Sequence, residues 1–564
     1  MSSTERPAVT RVLRTSVAAF LLLVTPFVGY VQYQRHGFGN PEVLLVVLLI
    51  AAVALALGGG AALSPVVEIT ILTGLVVFYA DIQLREPGLK RLGMMFLVLW
   101  PILWLLRTHA ARILSLMTAT ALALSLLPSR SQAISSEPVS VGTAGTANAA
   151  GRDLPLIVHL VFDEHIGAEG LPVDLAPPGY KEEFQSFFVD RGFRLFGKAY
   201  SEYPITVWSI SHLLNLAPGD YIHDLKGPGP AEGTYRLKRN AYFEHLRQLG
   251  YSIRVHVPDF IDVCPDGLPA SCAIHPARSL GLLDRMDAPL GAKVAVVAGT
   301  FVSLSETYNR TKDKYGSLRR QLAAKHVRLP KWSWEKSTPA PIGSMPMFDA
   351  VAADLSKAQP GNFLYAHLLM PHYPYVYDAS CRQRPMAEWL GRSDGTRGNI
   401  SGGLMNVPQG RADRYAMYFQ QMICTRRKID ELINAIPSSL RQNATIILQG
   451  DHGSRISIMD PMIKVPASRL ALSDYADHFS TLFAVRSASL DAGYDLRETP
   501  ITCLLRTLVE SDFRSTDRLD SCTAARKVYF HGNTIAQPHP LPDFWGAVQS
   551  SRDTARPARL LVNK

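Results

Sequence analysis

Five long apolar runs crowd the first 127 residues, more than any water-soluble core could absorb, so this end of the chain must be buried in lipid. They lie at roughly 15–32, 43–63, 65–83, 91–106 and 110–127. Arg6, Arg11 and Arg14 precede the first run as they would a signal peptide. No small-residue cleavage site follows and further runs come at once, so a retained helix is expected. The fourth run is short and holds Pro101, which implies a tilt, a kink or a join to its neighbour. The three N-terminal arginines favour a cytoplasmic start, Arg107 and Arg112 fit a later cytoplasmic loop, and five crossings would leave the rest of the chain outside. Arg85, Lys90 and Arg91 fall in a loop that this scheme places outside, and they count against it. Glu68, near an end of the third run, reads as an interfacial carboxylate.

After residue 127 the composition changes. Residues 128–153 are rich in Ser, Ala, Gly and Thr, bury almost nothing and should form a flexible linker. With 564 residues the chain exceeds one core. The expected division is a transmembrane anchor of about five helices at 1–127, the linker at 128–153, a soluble domain at 154–490 and a C-terminal extension of it at 491–564. All six cysteines (Cys264, Cys272, Cys381, Cys424, Cys503 and Cys522) lie in the soluble part, which fits disulfides in an oxidising compartment. Cys264 with Cys272 is the simplest pair, across a short loop containing Pro265, Gly267 and Pro269. No C-x-x-C spacing occurs, which speaks against a cysteine zinc site.

The net charge of +10 is not gathered into a basic block with interleaved aromatics, so a nucleic-acid partner is unsupported; attraction to anionic lipid headgroups explains it more simply. Neither GxGxxG nor a Walker loop is present, so no nucleotide is expected. Buried strands are expected at 155–162, 193–199, 251–257, 362–370, 444–449 and 479–486, with helices at 181–190, 240–249 and 411–436. Strands separated by helices give an α/β fold with a mainly parallel sheet covered on both faces.

Two of these strands end on hard ligands. Asp163 closes the first, and Asp451-His452-Gly453 closes a late one, at the strand ends where open α/β sheets place their sites. Two carboxylates and an imidazole brought together from distant segments point to a divalent metal. Thr206 sits where a Pro-containing loop meets a helix start, a place that favours an alkoxide and a phosphate. A threonine is a weak nucleophile until a metal lowers its pKa. His367 and Trp208 are expected to serve as packing.

In this order the chain resembles the alkaline phosphatase and sulfatase superfamily: an acid after the first strand, a hydroxyl nucleophile about 40 residues on, then a distal Asp-His-Gly. The turn Met370-Pro371-His372-Tyr373-Pro374 and the helix at 411–436 also have similar counterparts there, and the likeness spans roughly residues 154–490. The formylglycine motif of sulfatases is absent. Thr206-Val207-Trp208-Ser209 is instead similar to bacterial membrane phosphoethanolamine transferases, which share with lipoteichoic acid synthases a layout of five membrane helices before an extracytoplasmic catalytic domain.

The resemblance implies that Asp163, Thr206, Asp451 and His452 hold one metal, zinc or manganese, with calcium compatible with an oxygen-rich set. It implies Thr206 as nucleophile, His372 as a further catalytic group, and His372, His478 and Glu164 as substrate contacts. Phe162-Asp163-Glu164 replaces the transferases' Gly-Glu, and their substrate lysine has no visible counterpart. The implied reaction moves a phosphoryl-linked head group from a membrane phospholipid donor to a glycan or lipid acceptor through a phosphothreonine. The implied location is the inner cell membrane, multi-pass, with the C-terminal domain periplasmic or extracellular. The alternatives are a sulfatase-like hydrolase of phosphodiesters or sulfuric esters, or a non-catalytic membrane scaffold.

Overall fold

A computed structural model describes residues 5–34, 36–84, 87–126, 154–172, 174–217, 219, 221–224, 235–265, 267–277, 280–323, 327, 329–330, 340–389, 406, 408–462, 465–513, 526–530 and 537–545. The linker expected at 128–153 lies outside the described residues. The chain divides into two compact units, Met1–Ala133 with Ser279–Thr338, and Ile134–Arg278 with Pro339–Lys564.

In the first unit the apolar runs form helices α1 (Glu5–Tyr33), α2 (Pro41–Ala61), α3 (Pro65–Leu84), α4 (Leu89–Leu105) and α5 (Ala110–Leu126). Val9–Tyr33 within α1, α2 and α3 are each long and apolar enough to cross a membrane. Helices α4 and α5 have 17 residues each. They pass that test only as a pair, bent by 117°, so by length and composition alone the described residues hold three helices that could each cross, or up to four spans with the bent pair counted as one. The reason is short reach, because 17 residues rise only about 25 Å against a hydrocarbon core of about 30 Å.

Hydrogen bonds fix how these helices run. The Thr15 hydroxyl donates to Glu68 Oε1 at 3.1 Å and Arg11 Nε lies 3.6 Å from Glu68 Oε2, so α1 and α3 start at one end. Trp100 Nε1 on α4 donates to Thr70 Oγ1 on α3 at 3.1 Å. Arg14 meets the Thr108 carbonyl and the Thr25 hydroxyl meets the Thr118 carbonyl, each at 3.4 Å, so α5 runs alongside α1 in the same direction. Glu68 is therefore a buried, paired carboxylate at a helix end.

The expected soluble domain at 154–490 is interrupted, because residues 279–338 group with the membrane helices. A first arm helix, Leu290–Val302, packs against α2, and its Phe301 ring meets Phe27 edge-on at 5.2 Å. Tyr30 donates to Thr300 Oγ1 at 2.6 Å. A second arm helix, Glu306–Ala323, is capped from α3: buried Asp81 accepts from Ser305 Oγ at 2.7 Å and from the backbone N–H groups of Glu306 and Thr307 at 3.1 and 3.0 Å. The first arm helix is apolar, but its 13 residues are too few to read as a span from sequence.

The second unit is built on an eight-stranded sheet. Its strands are β1 (Ile157–Phe162), β2 (Arg194–Phe196), β3 (Ser252–Pro258), β4 (Ser271–His275), β5 (Asn362–Leu368), β6 (Thr445–Gly450), β7 (Phe483–Arg486) and β8 (Gly493–Asp495). The order is β8-β2-β7-β6-β1-β5-β3-β4, parallel throughout except that β7 runs against both its neighbours. The helices are α6 (Tyr180–Val189), α7 (Thr206–Leu214), α8 (Ala241–Leu249), α9 (Ser344–Leu355), α10 (Pro408–Ala435), α11 (Leu472–Phe479) and α12 (Ile501–Glu510).

Strand β1 is buried along its whole length, as a strand covered on both faces must be. Its Ile157 and Val161 join a core with Ile210 of α7, Phe243 of α8 and Leu504 of α12, while the alternate residues Val158 and Leu160 are equally buried on the other side. The tail after residue 490 is thus part of this core: β8 pairs with β2, and α12 packs beneath the sheet. Disulfides join Cys264 to Cys272, as expected, and Cys381 to Cys424, and Cys503 is also disulfide-bonded.

Replacing Asp81 by Ala should leave Ser305 Oγ and two helix-start N–H groups without their acceptor. Amide exchange at the start of the second arm helix is expected to accelerate roughly ten- to a hundred-fold, the worth of a charge-assisted cap. Unchanged protection there would show that the cap does not hold the arm.

Candidate active site and metal centre

The two strands at the centre of the sheet, β1 and β6, are parallel neighbours in register, Phe162 opposite Gly450, so Asp163 and Asp451 emerge side by side. Asp451 is fixed on one oxygen: Oδ1 accepts from the backbone N–H groups of Glu164 at 3.0 Å and His452 at 2.9 Å. Its Oδ2 is buried, has no hydrogen-bond partner and lies 3.2 Å from His452 Nε2. His452 Nδ1 donates to the Gly453 carbonyl at 2.9 Å, which leaves the lone pair on Nε2. Gly453 is required by space, because a Cβ there would stand 2.4 Å from the Asp477 carbonyl oxygen.

Thr206 opens α7. Its Oγ1 lies 3.4 Å from Asp163 Oδ1 and 3.3 Å from His452 Nε2. Ser209, one turn on, donates to the Asp451 carbonyl at 2.5 Å and contacts Ser201 Oγ at 3.0 Å, so the T-x-x-S spacing ties the start of α7 to the end of β6. Burial, and then the Asp451 and Glu164 carboxylates, push the Asp163 carboxyl well above its ordinary value, while Arg455 and the Thr206 hydroxyl pull it back.

Glu164 holds a left-handed backbone, φ 61°, a strained conformation for a non-glycine residue. Its Oε2 accepts from the Tyr373 N–H at 3.0 Å, and its Oε1 lies 3.4 Å from His372 Nε2 and 3.7 Å from Arg455 Nη1. It therefore anchors the His372 turn. His372 is about one quarter exposed, at 23 %, and its Nδ1 bonds to the Tyr373 carbonyl. His478 is buried; because Ser457 Oγ donates to the Met459 carbonyl at 2.6 Å, His478 Nε2 must be the donor in its 2.7 Å bond to Ser457. Burial, and then the nearby Arg455, His452 and Arg414 side chains, keep its pKa well below the usual value.

Two residues were not assigned to the site from sequence. Arg455, two positions beyond Gly453 and also at positive φ, is the cation beside the carboxylates; its adjacency to Asp-His-Gly was the available signal. His367, expected to be core packing, is buried but places Nε2 3.7 Å from Asp163 Oδ2, with both ring nitrogens unpaired and its pKa lowered to about 4 by burial. Trp208 is half-buried on α7.

The donor set fits a divalent cation. Ligand atoms of Asp163, Asp451 and His452 all lie within 4.8 Å of one another, the free Asp451 oxygen and the His452 lone pair converge, and Thr206 Oγ1 completes an oxygen-rich set with one nitrogen. Asp262 with Cys264 and Cys272 forms another cluster, but the cysteines are joined and have no thiolate to offer. Removing the unpaired Asp451 oxygen (Asp451→Asn) or displacing the motif (Gly453→Ala) should each weaken zinc binding at least about ten-fold in a chelator competition on the full chain. Affinity equal to the parent in both would place the metal elsewhere.

No family model matches the chain, and no curated protein matches it. Among solved structures it is similar to the C-terminal periplasmic domain of EcEptC from Escherichia coli in complex with Zn, at 12 % identity over 69 % of this chain and 93 % of that one, TM-score 0.36. It is similar to BT1596, a 2-O GAG sulfatase, at 12 % identity over 68 % and 80 %, TM-score 0.39. The phosphonate monoester hydrolase of Agrobacterium radiobacter is a third, at 12 % identity over 67 % and 80 %, TM-score 0.37.

Proposed function

We propose that the protein is a membrane-anchored, metal-dependent enzyme that transfers a phosphoryl-linked head group from a lipid donor to a glycan or lipid acceptor, with Thr206 as nucleophile. The observation that carries this reading is the Thr206 hydroxyl at the start of α7, within 3.4 Å of Asp163 Oδ1 and 3.3 Å of His452 Nε2.

Asp163, Thr206, Asp451 and His452 would hold the cation, zinc or manganese by their donor types. Its chemistry is to offset the buried carboxylates and lower the pKa of the threonine hydroxyl. With its proton lost to solvent, Thr206 Oγ attacks the phosphorus of the donor phosphodiester. The bond to the diacylglycerol oxygen breaks, and that oxygen takes a proton from His372, which is partly exposed and backed by Glu164 at 3.4 Å. In the second half an acceptor hydroxyl attacks phosphorus, its proton returns to His372, and the Thr206–phosphorus bond breaks. Arg455 and the first-turn N–H groups of α7 face the phosphate oxygens. His478 supports the site through Ser457 and Gly453.

The membrane half fits a donor whose acyl chains stay in the bilayer. The directions of α1, α3, α4 and α5 are those of segments that cross alternately, with α4 and α5 as two short crossings joined at Arg107-Thr108-His109. On this reading the second unit is periplasmic or extracellular, where its disulfides form.

The test is peptide mass analysis of the full chain after incubation with phosphatidylethanolamine, phosphatidylglycerol and cardiolipin. An adduct is expected on the peptide containing Thr206, absent in Thr206→Ala and after chelation, and restored by zinc. Product that is free head-group phosphate with no acceptor requirement would mark a hydrolase. Metal-dependent turnover surviving Thr206→Ala would overturn the covalent mechanism.

A further inference from the structure

A groove in the first unit, between α3 and α4, takes no part in this chemistry. Leu84, Pro87, Met94, Met95, Val98 and Leu99 line it together with Arg91, and its volume is about 610 Å³. Arg91 stands on the first turn of α4 and Val98 and Leu99 about two turns further on, so one cation is followed by roughly 10 Å of apolar wall. Met94 and Val98 are exposed, at 58 % and 60 %, as lipid-facing side chains are. Arg91 is exposed and has no carboxylate partner among the described residues.

The second arm helix begins at this same end, joined by Asp81 at its cap and by the Gly88 N–H, which donates to Glu306 Oε2 at 2.7 Å. That helix carries five Lys and Arg against two acidic residues. One of the two, Glu306, is already engaged by Gly88 and by Arg310 Nε at 2.6 Å. The end of the groove therefore carries the Arg91 cation and lies beside the start of a helix of net positive charge, whereas its length is apolar. A free phosphate would leave the apolar wall unused, and a zwitterionic lipid would leave the excess charge unanswered.

We propose that this groove holds one anionic phospholipid of the surrounding bilayer, an acyl chain lying along Met94, Met95 and Val98 and the headgroup phosphate on Arg91. The site rests on α3 and α4 lying in the membrane and is independent of the reaction at Thr206.

The experiment uses the full chain in phosphatidylcholine nanodiscs doped with a photoreactive-acyl phosphatidylglycerol or the matching phosphatidylcholine. The readout is the ratio of the two labels on the peptide covering residues 84–99, which does not depend on the folded fraction. Phosphatidylglycerol should label that peptide about five-fold more, the worth of one cation at an anionic surface. Arg91→Gln should bring the ratio close to one, and Met95→Trp, which fills the groove and keeps the charge, should lower both labels on this peptide alone. Equal labelling of the parent by both lipids, or a ratio unchanged in Arg91→Gln, would overturn the site. No label anywhere in the first unit would instead overturn the membrane reading on which it rests.

Discussion

The second unit is organised around three carboxylates held out of water in one place. Asp163, Glu164 and Asp451 are each at most 1 % exposed. Two like charges about 4 Å apart repel by roughly 4 kcal/mol at an effective dielectric near 20, and a buried cluster adds desolvation to that. The local answers are real but small: two backbone N–H groups on Asp451, one on Glu164, the Thr206 hydroxyl near Asp163, and Arg455 at 3.7 Å. Hydrogen bonds to charged groups contribute about 1.5–3 kcal/mol each, and they satisfy the outer oxygens without discharging the inner ones. Asp451 Oδ2 is left without a hydrogen-bond partner, at the place where a divalent charge would settle the remainder.

That constraint explains features with no role in packing. Gly453 is small because the chain must pass the Asp477 carbonyl while presenting His452. His452 spends its Nδ1 proton on a neighbouring carbonyl, so Nε2 is available inward. Glu164 and Arg455 both accept left-handed backbone, and each thereby reaches the cluster. Strain of this kind costs about 1–3 kcal/mol per residue and persists only where the surroundings dictate it.

The parts of this arrangement that rest on local pattern were legible in the sequence. The continuous apolar runs before Asp163 and Asp451 became β1 and β6, the helix expected at 411–436 formed at Pro408–Ala435, and the three motifs met despite separations of 43 and 246 residues from Thr206. What was not legible depended on tertiary placement. Strand β8 has three residues and no periodicity to read. His367 alternates with core residues on β5, and nothing in the pattern distinguishes a histidine facing apolar side chains from one facing a carboxylate. The arm at 279–338 is interleaved in sequence between pieces of the other unit, and its placement depends on single polar contacts such as Asp81 with Ser305.

Helix α7 presents Thr206 at a helix start that its own N-cap leaves open. Its N-cap is Ile205, which has no side chain able to cap, so the first-turn N–H groups receive no acceptor from the N-cap residue. The obvious intrahelical alternative, Ser209, turns its hydroxyl to the Asp451 carbonyl. Uncapped N–H groups are a stability loss of about 1 kcal/mol unless something anionic occupies them. Placing Thr206 at that position aligns its oxygen with the carboxylate cluster on one side and open donors on the other. Under the proposed reaction the threonine would need no unusual side chain: a cation in this pocket would lower the hydroxyl's pKa, and the uncapped helix start would face the phosphate.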